Sequence, residues 1–173
     1  MKVLFLKCYK KIMSQRKYIL YLRKQGVVIG NNCEIYKSAN FGSEPYLIEL
    51  GDHVRINSGV QLITHDGGCW VLRGLDKSYQ NADKFGKIKI GNNVHVGTNS
   101  IIMPGITIGD NVIIGCAAVV THDVPSNSVV AGIPAKKIET LSEYIEKNKD
   151  QIVMTKNLTY TEKKNFLGKL SKI

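Results

Sequence analysis

Residues 88–123, cut into sixes, read IKIGNN, VHVGTN, SIIMPG, ITIGDN, VIIGCA and AVVTHD. The third residue of each block is Ile90, Val96, Ile102, Ile108, Ile114 or Val120, so one register holds β-branched aliphatics alone. Ile and Val make up 35 of the 173 residues, which gives six hits in six a chance on the order of 10⁻⁴ before allowing for the choice of register. The register two residues earlier holds Ile88, Val94, Ser100, Ile106, Val112, Ala118, Val124 and Val130, and Gly91, Gly97, Gly109 and Gly115 follow the first register. Apolar residues two apart in a six-residue period describe short strands with alternate side chains inward. Each strand ends where Gly, Asn or Asp can take positive φ and turn the corner. Three blocks per circuit close a triangular coil of about 18 residues, whose stacked circuits pair as parallel strands about 4.8 Å apart.

Working outward, ELGDHVRINSGVQLI carries the same spacing through Leu50, Ile56, Leu62 and through Ile48, Val54, Val60, with a fainter echo at Ile29 and Ile35. These registers do not run in phase into residue 88. The interruption is residues 66–86, DGGCWVLRGLDKSYQNADKFG, which have no period and hold the only Trp. A long aperiodic loop in a compact repeat is uncommon and often functional. The period stops after Pro134, and Thr140 with Glu143 forms a capping-box pattern that opens a helix through Leu141, Tyr144 and Ile145. Leu158, Phe166 and Leu170 give a weaker pattern, read as either a second short helix or a frayed tail. Three parts follow: an N-terminal helix over 1–24, a coil over 25–138 with its loop at 66–86, and a helical extension over 139–173.

Charge is unevenly placed. The chain has 24 Lys and Arg against 14 Asp and Glu, net +10. Residues 1–24 hold eight basic and no acidic residues, residues 25–135 seven and nine, and residues 136–173 nine and five. The slightly acidic centre argues against a nucleic-acid groove. Leu4, Phe5, Leu6, Ile12, Ile19, Leu20 and Leu22 alternate with Lys7, Lys10, Lys11, Arg16, Lys17, Arg23 and Lys24, as in a basic amphipathic helix. Two readings stay open: a helix packed on the protein with a solvated basic face, or contact with anionic lipid headgroups. No apolar run approaches the roughly 20 residues of a bilayer span, and MKVLFLKCYKKIM lacks the pattern of a signal peptide. A soluble cytoplasmic protein is expected, and Cys8, Cys33, Cys69 and Cys116 are spaced as reduced thiols rather than as a metal or disulfide framework.

SEPYLIELGDHV, GVQLITHDGG, KIKIGNNVHVGTNSIIMPGITIGDNVIIG and DVPSNSVVAGIPAKKI, in that order, resemble the hexapeptide-repeat acyltransferases over residues 28–140. The sugar and polysaccharide O-acetyltransferases are the nearest branch. The resemblance implies an all-β solenoid, a left-handed parallel β-helix, whose hand departs from the usual right-handed crossover. It also implies a homotrimer with active sites between subunits, an acyl-CoA donor, a hydroxyl or amine acceptor, and direct transfer without an acyl-enzyme.

In that family a histidine just before the extended loop is the general base, and His65 stands there. A sugar hydroxyl cannot attack a thioester at neutral pH unless a base takes its proton, and a neutral imidazole can. A backbone N–H near the site would steady the thioester oxyanion. Thr-His-Asp occurs at 64–66 and again at 121–123, but only the first precedes Gly-Gly and the loop. His122 therefore reads as a corner residue, His95 as packing near the thioester arm, and His53 as a structural replacement for a turn Asn. Asp66 either orients the His65 ring or forms the turn. Asn57 and Ser58 on the preceding coil, with Trp70, Arg73 and Tyr79 in the loop, are the acceptor candidates, the loop residues being equally apt as anchors. Gly97, Thr98, Gly115, Ala117 and Thr121 match the family's pantetheine-binding positions, and Lys136 and Lys137 those facing the CoA phosphates.

The sequence thus points to an acetyltransferase that uses acetyl-CoA, requires no metal, and modifies a sugar hydroxyl of a surface polysaccharide. A lipid-linked acceptor would give residues 1–24 a purpose at the membrane. The alternatives are an N-acetyltransferase of a nucleotide-linked amino sugar, a γ-carbonic-anhydrase-like zinc protein needing three convergent histidines, and a non-catalytic scaffold.

Overall fold

The computed structural model describes residues 13–170. The first half of the expected N-terminal helix, residues 1–12, lies outside them. Helix α1, Gln15–Lys24, is capped by Ser14, whose hydroxyl accepts from the Lys17 amide. Tyr18 and Leu22 bury one side of it against the first circuit. Gln15 donates to the Ile35 carbonyl at 3.0 Å, and Arg23 to those of Ile29 and Gly30 at 2.8 and 2.9 Å.

Strands β1 (Val28–Ile29), β2 (Glu34–Ile35), β3 (Ile48–Leu50), β4 (Val54–Ile56), β5 (Gln61–Leu62), β6 (Ile88–Ile90), β7 (Val94–Val96), β8 (Ile101–Ile102), β9 (Thr107–Ile108), β10 (Val112–Ile114), β11 (Val119–Val120) and β12 (Ser128–Ala131) follow in chain order. They form three parallel sheets: β1-β3-β6-β9, then β2-β4-β7-β10-β12, then β5-β8-β11. The chain visits the sheets in that order on each circuit. In the first circuit an isolated bridge between Asn40 and Gln61 stands in for a strand of the third sheet.

Register follows the sequence period. Val94 lies beside Val112, Lys89 beside Thr107 and Ile101 beside Val119, each pair 18 residues apart. Val54 pairs with Val94 and Gln61 with Ile101, 40 apart, because residues 66–86 are looped out between them. Glu34 pairs with Arg55, 21 apart, the excess taken up by a 3-10 turn at Pro45–Leu47. Inward residues form the core, with Ile35, Ile48, Ile56, Leu62, Ile88, Ile102 and Ile114 wholly buried. Burying such a side chain is worth roughly 1.5–3 kcal/mol.

The corners take the expected positive φ at Asn93, Asn99 and Asn111, at 55° to 59°, and at Gly59 and Gly105, while His53 and Ala117 take it as well without being of the expected types. The glycines at 91, 97, 109 and 115 serve close stacking instead. A Cβ built on Gly97 would lie 2.6 Å from the Cys116 nitrogen of the next circuit. At the left-handed corner the side chains bond from circuit to circuit: His53 Nδ1 meets Asn93 Oδ1 at 2.8 Å, Asn93 donates to Asn111 at 2.8 Å, and Asn111 to Asn127 at 3.1 Å.

The loop is more ordered than its aperiodic sequence suggests. It holds helix α2, Cys69–Leu75, anchored by buried Cys69, and a 3-10 turn at Lys77–Tyr79. Beyond β12 the chain reverses into β13 (Lys136–Thr140), the one antiparallel neighbour in its sheet. Helix α3, Leu141–Asn148, carries the expected Thr140–Glu143 capping box. Helix α4, Tyr160–Leu167, carries a second box, Thr159–Glu162, so the weak C-terminal pattern is a capped helix. Neither helix buries a residue.

Candidate active site

The turn after β5 places His65. Thr64 is wholly buried, and the two sides of the loop's neck are tied by Asp66 N–H to the Lys84 carbonyl and Gly86 N–H to the Thr64 carbonyl, both at 2.8 Å. His65 itself bridges Phe85. Its Nδ1 lies 3.2 Å from Glu44 Oε2 and 3.4 Å from the Ser43 hydroxyl. The same Glu44 oxygen accepts the Thr64 hydroxyl at 2.8 Å. Hydrogen bonds from Thr64 and Ser43, with a further one from His65, hold the Glu44 carboxyl below the usual carboxylate range. An ionised carboxylate at Nδ1 calls for a proton there, which leaves the lone pair on Nε2.

Asp66 serves the turn. Its carboxylate accepts the Gly68 amide at 2.9 Å and Lys84 Nζ at 3.1 Å, and these contacts hold its pKa down. The carboxylate that bonds the His65 ring is Glu44, which the sequence reading did not single out. The signal was present, since Glu44 stands 21 residues before His65, the spacing of one circuit there.

Glu44, Ser43, His65, Trp70, Arg73 and Phe85 line an open pocket of about 420 Å³. Trp70 is 77% exposed. Arg73 walls the pocket but staples the loop as well: Nε and one terminal nitrogen donate to the Ala82 carbonyl at 3.0 and 2.7 Å, and that nitrogen also pairs with Asp83. Tyr79 lies in the 3-10 turn and is not part of this lining.

The remaining candidates sit elsewhere on the chain. Asn57 Nδ2 donates to the Val96 carbonyl at 2.8 Å and meets His95 Nε2 at 3.2 Å. Burial, with the nearby Arg55 charge, pushes the His95 pKa down, which favours a neutral ring. Ser58 bonds the Ser38 hydroxyl at 2.7 Å. Gly97, Thr98, Gly115 and Ala117 form the corner between the second and third sheets, where the Gly97, Gly115 and Ala117 amides donate to Ile114, Val130 and Thr98 carbonyls. Those three amides are committed to the stack, and the Gly97, Thr98 and Gly115 carbonyls accept from the Ser100 amide, the Ala117 amide and the Ser100 hydroxyl. The Thr121 hydroxyl meets His122 Nδ1 at 2.9 Å, and Lys136 and Lys137 stand exposed on β13. None of these residues lines the His65 pocket; the 97–98 and 115–117 corner joins the second and third sheets, whereas His65 and Thr121 both follow strands of the third. Among the described residues no three His, Cys, Asp or Glu side chains are grouped to hold a metal ion.

Comparison with known proteins shows what the chain is similar to. Residues 87–122 match the family described as bacterial transferase hexapeptide (six repeats). The chain is 50% identical over 169 residues to Protein CapG of Staphylococcus aureus, covering 96% of this chain and 94% of that protein. It is 37% identical over 120 residues to galactoside O-acetyltransferase of Escherichia coli (strain K12), covering 66% of this chain and 57% of that one. A solved structure of galactoside acetyltransferase in complex with coenzyme A is 31% identical, with a TM-score of 0.54 over 76% of this chain and 61% of that one.

Proposed function

Because the chain belongs to the hexapeptide-repeat transferase family, we propose that it moves an acetyl group from acetyl-CoA to a sugar hydroxyl in the assembly of a surface polysaccharide. It is an acetyltransferase of the hexapeptide type, with acetyl-CoA as co-substrate. The observation that carries the finer reading is the Glu44–His65 pair beside an open pocket walled by Trp70.

In this reading the coil is a left-handed β-helix and the transfer is direct. Glu44 fixes the proton on Nδ1 of His65, and Nε2 takes the proton of the acceptor hydroxyl as its oxygen attacks the thioester carbonyl. The C–S bond then breaks, and the leaving CoA thiolate takes that proton from Nε2. A positioned base of this kind contributes about 10²–10⁴ in rate. Trp70 covers the sugar ring, and Arg73 holds the loop that carries it. Lys136 and Lys137 meet the CoA phosphates, with the 97–98 and 115–117 corner along the pantetheine. The separation of this corner from the His65 pocket supports a homotrimer in which one subunit's base meets its neighbour's donor groove. No described helix is long and apolar enough to cross a membrane, and the reading places the enzyme in the cytoplasm against the inner membrane face.

Isothermal calorimetry with acetyl-CoA and with CoA tests the donor, with saturable binding at one site per subunit expected. A screen of hydroxy and amino sugars follows, with His65→Ala as control. Turnover falling about 10²-fold or more in that variant, with acetyl-CoA binding retained, supports the base. Normal turnover by the variant removes it, and acetylation of amino sugars alone redirects the acceptor to an amine.

A further inference from the structure

Helix α1 divides its circumference into two unlike halves. At about 100° per residue, Gln15, Tyr18, Ile19 and Leu22 share the side turned to the first circuit, where Tyr18 and Leu22 are buried. Arg23, Arg16, Leu20, Lys24 and Lys17 fall in that order within an arc of about 120° on the other side. All five are exposed, Leu20 by 48%. The helix has no acidic residue. Arg16, Lys17 and Lys24 make no ion pair among the described residues. An open hollow of about 630 Å³ runs beside the arc, lined by Arg16, Ile19, Leu20, Arg23, Asn31 and Asn32. Asp52, whose partner Asn31 lines that hollow, is occupied by the Asn31 amides at 2.6 and 3.2 Å.

We infer that this arc of α1 is a docking surface for an anionic phospholipid bilayer. The packed helix and the lipid-contacting helix are the same helix, because packing consumes one half and leaves the basic half outward. Charge complementarity selects the partner: residues 1–24 hold eight basic and no acidic residues, against seven basic and nine acidic in residues 25–135. Composition selects a bilayer over a nucleic acid, because a leucine stands at the centre of the cations and residues 1–12 continue the mixture with Lys2, Lys7, Lys10, Lys11, Val3, Leu4, Phe5 and Leu6. Lys and Arg sit among headgroup phosphates while Leu20 enters the acyl boundary. The docked end is then the first circuit, and His65 closes the second, about 10 Å along a stack that rises some 4.8 Å per circuit. A saccharide anchored to that bilayer would be presented at the height of the pocket. This deepens the membrane-side location proposed above and is independent of the acetyl-transfer chemistry.

Co-sedimentation of the full chain with phosphatidylcholine vesicles, with and without phosphatidylglycerol, tests the docking. The wild type pellets with the anionic vesicles only and is released by raised salt. Arg16→Glu/Lys17→Glu/Lys24→Glu lowers the partition coefficient at least about tenfold, and Leu20→Ser lowers it at unchanged charge. Thermal melting and acetyl-CoA calorimetry on the same samples show that the variants fold and keep the docking separate from the catalytic reading. Failure of the wild type to pellet, equal binding to both vesicles, or preferential capture of an RNA oligonucleotide overturns the inference. So does wild-type binding by the triple variant, which would assign the contact to residues 1–12. If the triple variant fails to melt cooperatively, Leu20→Ser and the salt dependence decide.

Discussion

Glu44 and Asp66 are both carboxylates beside His65, and their partners divide their work. Glu44 bonds the ring at Nδ1, whereas Asp66 spends its oxygens on Gly68 and Lys84. Glu44→Gln is therefore expected to lower kcat about 10²-fold with KM for acetyl-CoA little changed. The Glu44 pKa is lowered, so the carboxylate stays charged, and keeps its hold on Nδ1, as pH falls through the ordinary carboxylate range. Asp66→Asn loosens the turn and should act on acceptor KM and thermal stability, with kcat little changed. Steady-state rates and melting of both variants check this, and a kcat that collapses for Asp66→Asn rather than for Glu44→Gln reverses the assignment. His65 could be singled out as a candidate in the sequence because it stands before the loop where the resemblance expects a histidine, and the second Thr-His-Asp does not. Glu44 went unnoticed although the 21-residue step from Ile29 and Ile35 to Leu50 and Ile56 carries it to His65, because that step departs from the 18-residue period by the three residues of the Pro45–Leu47 turn.

At the scale of the element, the strands were the most legible part. An inward Ile or Val every six residues leaves little freedom in register, and the observed pairs 18 apart follow directly. The corners were legible where Asn or Gly turns them, as at Asn93, Asn99, Asn111 and Gly105, and not at His53 and Ala117, which take the left-handed conformation without a signal in their residue type, while Gly97 answers to the next circuit's backbone. Gly97→Ala is expected to destabilise the protein by about 1–3 kcal/mol through overpacking, measured as a lowered midpoint in chemical denaturation without ligand. An unchanged midpoint together with lost acetyl-CoA binding would show that the glycine is kept for the donor. The loop was harder to read: α2 is only 7 residues long and depends on Cys69 burial and the Arg73 staple, contacts distant in the period and invisible to it.

The whole molecule sets a polar end, α1, against a coil whose middle is nearly neutral. Its charge map was readable by counting, but counting could not tell which half of α1 faces outward. The same holds for the expected site. Its residues were named individually, yet the division between the His65 pocket and the 97–98 and 115–117 corner follows from how sheets meet at corners, which a linear period does not encode. One feature at the far end bears on assembly. A parallel stack terminates in a strand whose outer hydrogen-bonding edge is open to the next copy, and open edges recruit strands from other chains. In the second sheet β13 covers β12 in the antiparallel sense, so an incoming copy finds a strand running the wrong way to extend the stack. A chain shortened to end at residue 131 is accordingly expected to grow in size with concentration in light scattering while the full chain keeps a fixed mass. The basic tail of the repeat, besides its proposed place at the donor, would then be the stopper that keeps a self-complementary spiral from becoming a fibre.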